Sequence, residues 1–172
     1  WQSGCLQNVR KLFKLDLPRH AGTDTPLPEN SLFRAAEFHL YPSPAAPAEA
    51  NWALIRGRVE NKDTRKELAG ALLRVLRNGS ATPVAWGVSD ARGEVLVAVP
   101  GIPRITWQES GESVLVSEVE ATIEVVFDKA AGAIVDPDRL EKSRQTLILE
   151  KFPPLKLAAG RVSLTRLPVK VT

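Results

Sequence analysis

The stretch "SEVEATIEVVFD", residues 117–128, constrains the fold more tightly than any other part of the chain. Val119, Ala121, Ile123, Val125 and Phe127 alternate with Glu118, Glu120, Thr122 and Glu124. A two-residue repeat places all the apolar side chains on one side of a strand and the polar ones on the other. A helix would scatter the same residues around its axis, so a strand with one buried face is expected here.

Shorter runs of the same kind precede it. "WALIRGRVE" sets Ile55, Gly57 and Val59 inward against Arg56, Arg58 and Glu60. "ALLRVLR" puts Ala71, Leu73 and Val75 on one face, "PVAWGVS" is a short strand, and "EVLVAVP" turns Val95, Val97 and Val99 inward. Asn78-Gly79-Ser80 and Asp90-Ala91-Arg92-Gly93 are turn signals, since Asn and Gly tolerate the positive φ that tight turns need. Pro100-Gly101 stops the strand before it by removing a donor. In "RVSLTRLPVKV", Val162 and Leu164 read inward and then Leu167, Val169 and Val171 do. That change of phase around Arg166 implies a bulge or bend at a sheet edge. Asp136 is a candidate N-cap with Pro137 at the first helical position, so one short helix of about two turns is expected. From Trp52 onward the count is about seven strands at the spacing of a sandwich.

Residues 1–48 differ. Val9, Leu12 and Phe13 make a short amphipathic patch, and Leu32 and Phe33 are further isolated apolar residues in a region punctuated by proline. The region reads as an extended arm, or the tail of a preceding domain, and residues 49–172 as the sandwich. With 13 Pro and 11 Gly in 172 residues, long helices are not expected. The chain opens on Trp1 and holds no Met, and is read as a fragment, a processed product or the ordered part of something longer.

The sequence "GRVENKDTRKELAGALLRVL…VSDARGEVLVAVPG" resembles the carboxypeptidase regulatory-like, or prealbumin (transthyretin)-like, domain family. The features that carry the likeness are Gly57 and Val59, a charged turn, Gly70 and Ala71 opening the second strand, Asp90 to Gly93, and Pro100-Gly101. The resemblance implies an all-β fold, a seven-stranded prealbumin-like Greek-key sandwich with an extended N-terminal arm and one short helix. A second likeness concerns "LYPSPAAPAEANWALIRGRVE", which is similar to accessory proteins of phage-tail-like contractile injection systems. It implies a structural part of a larger assembly.

Active relatives of this fold are not matched in their chemistry. Sandwiches that form an isopeptide need a Lys on an early strand, where this chain has Arg56 and Arg58, and an Asn near the last strand, which "RVSLTRLPVKVT" lacks. The Tyr-Arg-Gly-Ser signature of transthyretin-like hydrolases is also missing. Cys5, His20 and His39 cannot be assembled by spacing into a nucleophile, base and orienting group, so no enzyme is expected. One Cys and two His do not make a zinc set, and capping explains Asp136, Asp138 and Glu141 better than calcium does. No cofactor is expected.

A net charge of +3 without Arg and Lys clusters interleaved with aromatics does not suggest nucleic acid as a partner. No apolar run approaches the ~20 residues of a membrane span, and the single thiol slightly favours a cytoplasmic assembly. Other protein subunits are the expected partners, met through Leu12, Phe13, Leu32 and Phe33 of the arm and through strand edges. An alternative is a carbohydrate- or surface-binding module that uses Trp52, Trp86 and Trp107, since aromatic faces grip sugars as well as fill cores.

Overall fold

Alternating apolar residues can hide from water only by facing a second sheet, and the chain is built on that requirement. The computed structural model describes residues 31, 35, 39–103, 106–107, 114–115, 118–132 and 134–171, with 106–107 and 114–115 described by their backbone alone. In chain order the elements are β1 (Ala53–Asn61), β2 (Leu72–Arg77), β3 (Pro83–Val88), β4 (Glu94–Val99), β5 (Thr106–Trp107) and β6 (Val114–Leu115). They continue with β7 (Glu118–Phe127), α1 (Pro137–Lys142), β8 (Ile148–Lys151), β9 (Leu155–Ala158) and β10 (Val162–Val169). One sheet has the order β10-β1-β4, and the other runs β3-β2-β7-β8 with β9 also on β7. Strands β5 and β6 form a separate two-residue ladder.

The core lies between the two sheets. Ile55 and Val59 of β1, Val95, Val97 and Val99 of β4, and Leu167 and Val169 of β10 meet Leu73, Val75, Ala121, Ile123 and Val125 of the opposite sheet. These are the inward residues that the alternation of β1, β2, β4 and β7 predicts. The described residues therefore form an all-β sandwich with one short helix.

Among the described residues eight strands make up the two sheets, one more than the seven expected. Strands β8 and β9 lie one after the other on the same edge of β7, β8 on residues 124–127 and β9 on 118–121. Pro153 and Pro154 separate them, and proline has no N–H to continue a ladder.

The last strand also differs from expectation. β10 pairs with β1 in parallel and in unbroken register from Leu54↔Val162 to Asn61↔Val169. With no bulge the phase cannot change, so Leu167 and Val169 point into the core while Val162 and Leu164 point away from it. Both are exposed, Val162 at 50% and Leu164 at 81%.

Two glycines show why the motif around residues 70–93 has its form. Gly93 has φ +71°, and a Cβ there would stand 2.5 Å from the Val59 carbonyl oxygen. The turn is closed by Asp90, whose Oδ1 accepts from the Arg92 and Glu94 backbone N–H groups at 2.9 and 3.0 Å. Gly70 has φ +74°, and a Cβ there would strike the Val135 side chain at 2.7 Å. Beside it, the buried Ser89 hydroxyl accepts from the Ala71 N–H and donates to the Leu68 carbonyl.

The five-stranded sheet is covered on its outer face as well. Tyr41, Leu72, Val88, Val126, Val135 and Leu140 form a second apolar cluster there. Helix α1 belongs to this layer. Asp136 caps it as the sequence predicts, its Oδ1 accepting from the Asp138 and Arg139 N–H groups at 3.0 and 3.2 Å with Pro137 following. Residues 39–46 reach both outer faces: Tyr41 packs on the five-stranded sheet, and the Pro44 carbonyl accepts from Arg56 on the three-stranded one.

Candidate functional site

The described residues present two places with a chemistry of their own, one on each outer face. On the five-stranded sheet, strand register sets Trp86, Arg74, Glu124 and Lys151 in a single row across β3, β2, β7 and β8. Arg74 and Glu124 are 3% and 6% exposed, buried under α1 and the Tyr41 segment. Arg74 Nη1 donates to Glu124 Oε2. Lys151 Nζ lies 2.9 Å from Glu124 Oε1.

From above, Glu141 of α1 brings Oε2 to 2.8 Å from Arg74 Nε. The two atoms are buried and ion-paired, yet they are not aligned as a hydrogen bond. Arg144 Nη1 is 3.4 Å from Glu141 Oε1 on the solvent side. Charges buried this deeply persist because each has an opposite charge in contact.

Beside this row a cleft of about 250 Å³ is lined by His39, Leu40, Tyr41, Trp86, Asp138 and Glu141. The Tyr41 phenol is pushed up to about 12, by burial first and then by the carboxylates of Asp138, Glu141 and Asp136.

On the three-stranded sheet an open groove of about 480 Å³ is lined by Arg56, Arg58 and Arg166 together with Glu94, Leu164 and Thr165. Arg58 stands between Arg166 of β10 and Glu94 of β4 in register. Arg58 Nη2 donates to Glu67 Oε1. The Glu67 carboxyl is held below the usual carboxylate range, by its own backbone amide first and then by the Arg58 guanidinium. Arg166 has no acidic partner among the described residues, and beside it Leu164 is bare. Like charges placed opposite each other on neighbouring strands repel, and Glu67 offsets the Arg58 charge while Arg166 has no such offset among the described residues.

Of the residues singled out in the sequence, Leu12, Phe13, Leu32 and Phe33 lie outside the described residues, as do Cys5 and His20. Trp52 is half-buried immediately before β1, its carbonyl accepting from Gly160 N–H at the β9–β10 turn. Trp86 stands on the outer face of the other sheet, 36% exposed. Trp107 is in β5, and its side chain is outside the description.

Sequence reasoning missed Arg74, Glu124 and Glu141 as one cluster, and missed Tyr41 as part of it. A signal was present. "LLRVL", residues 72–76, is apolar at every position but Arg74, and such a run marks a strand covered on both faces. Among the described residues no group of three or more His, Cys, Asp or Glu is placed to hold a metal ion. No described helix is long and apolar enough to cross a membrane. No family model matches the chain, and no curated protein compared with it matches either.

Proposed function

We propose that the protein is a non-enzymatic interaction module that docks onto other protein subunits of a larger assembly through the edge of β10. The observation that carries this reading is the bare apolar pair Val162 and Leu164 on a strand whose far edge has no partner among the described residues. An exposed strand edge is a template for pairing with another chain. The groove beside it adds Arg58 and Arg166, which favour an extended segment with an acid set next to an apolar residue.

Counting β8 and β9 as one interrupted lane gives seven lanes, the number that the prealbumin-like resemblance implies, and this supports reading the domain as prealbumin-like. A phage-tail-like contractile particle is the assembly that the sequence likeness suggests.

The test is sedimentation of native lysate, with mass spectrometry of the fractions, on the wild type and Leu164→Lys. A lysine on an exposed strand blocks edge pairing and changes stability by no more than about 0.5 kcal/mol. The wild type is expected in a fast-sedimenting fraction with repeated subunits, and the variant free. Recovery of the wild type only as a free small protein overturns the proposal, as does unchanged sedimentation of the variant.

A further inference from the structure

The cleft between residues 39–41, β3 and α1 has no part in the docking edge, which lies on the other sheet. Its walls combine the rings of Tyr41 and Trp86 with the His39 imidazole, Leu40 and two carboxylates, Asp138 and Glu141. At about 250 Å³ it is smaller than the roughly 300–1,000 Å³ of pockets that hold drug-sized ligands, so it suits a head group rather than a whole molecule. We propose that this cleft binds an alkylated ammonium group.

The chemistry of the walls selects that class. Aromatic faces attract cations through their quadrupole, and they do so best when the cation sheds its water easily, as an alkylated ammonium does and a small metal ion does not. Carboxylates on the same walls exclude anionic ligands and add Coulomb attraction.

Among the described residues Arg74 is the buried cation near the cleft, and Glu124 and Glu141 neutralise it from two sides. Glu141 Oε2 is buried, and its contact with Arg74 leaves it outside any hydrogen bond. After burial, the charges that raise the Tyr41 phenol are the carboxylates of Asp138, Glu141 and Asp136. Trp86 is 36% exposed, so its indole is open to solvent at the cleft.

The test is amide and indole NMR of the whole chain titrated with tetramethylammonium, against sodium at equal ionic strength. Saturable shifts are expected at residues 39–41, 86 and 138–141 with tetramethylammonium and not with sodium. Trp86→Ala is expected to weaken binding at least about tenfold, a typical loss for one aromatic wall. Trp86→Phe keeps an aromatic wall and is expected to retain most of it, which separates loss of the site from loss of the fold. Free choline and a peptide carrying trimethyl-lysine, titrated in parallel, distinguish a small-molecule source from a side-chain source. Absence of saturable shifts with all three probes overturns the proposal, and so does binding that Trp86→Ala leaves unchanged.

Discussion

Gly93 and Tyr41 are the two residues whose chemistry is most directly measurable. At Gly93 any Cβ meets the Val59 carbonyl at 2.5 Å while the backbone holds φ at +71°. Gly93→Ala is therefore expected to destabilise the fold by roughly 1–3 kcal/mol, the cost of a side chain in the left-handed region with backbone in its way. Urea unfolding with an unchanged slope checks it. Tyr41 is the only tyrosine, so phenolate absorbance titrates it alone. The midpoint is expected near 12 in the native state and near the ordinary 10.0 in denaturant. The native state holds this proton more tightly. Its contribution to stability is therefore complete below about pH 10 and disappears as pH rises from there through 12. Tyr41→Phe is expected to remove that part of the alkaline loss, and Glu141→Gln to lower the native midpoint.

At the scale of elements, the row across β2, β7 and β8 is the informative unit. Removing one member of a buried pair leaves the other charged and desolvated, at a cost of roughly 3–5 kcal/mol. Arg74→Met should show a loss of that order, because Glu124 then keeps only the exposed Lys151. Arg74→Met combined with Glu124→Leu should recover most of it, since two apolar side chains of suitable size can replace a buried pair. Non-additivity in a double-mutant cycle measures the coupling. Equal losses in the single and double variants would show that Glu141, not Glu124, is the partner that matters. In the first and last strands, by contrast, the sequence periodicity and the structure part company at two positions only. Val162 and Leu164 look like core residues to any reading of hydrophobicity. Unbroken register with β1 obliges them to face outward once Leu167 and Val169 face in.

For the whole molecule the decisive fact is that β1 and β10, from opposite ends of the described sandwich, pair side by side. Closing so long a loop comes before any reward from the contacts it makes, and folds dominated by such pairings form in milliseconds to seconds. Stopped-flow refolding is expected to fall in that range and not in microseconds. Residues 39–46 add a second long-range link by touching both outer faces, through Tyr41 on one and Pro44 on the other.

Features that depend on neighbours along the chain are legible in the residues alone. Period-two alternation set the inward faces of β1, β2, β4 and β7. Asp90 and Gly93 set the turn into β4, and Asp136 and Pro137 set the start of α1. Each of these follows from the local geometry of a strand, a turn or a cap. Which outer face is covered depends on contacts between distant parts of the chain. The layer of Tyr41, Val135 and Leu140 over β2 turns an arginine and a glutamate on nominally solvent-facing positions into a buried pair. Among the described residues no such layer lies over β10, and Val162 and Leu164 are exposed there. Alternation tells a strand which side chains share a side, but burial depends on what the rest of the chain brings to that side.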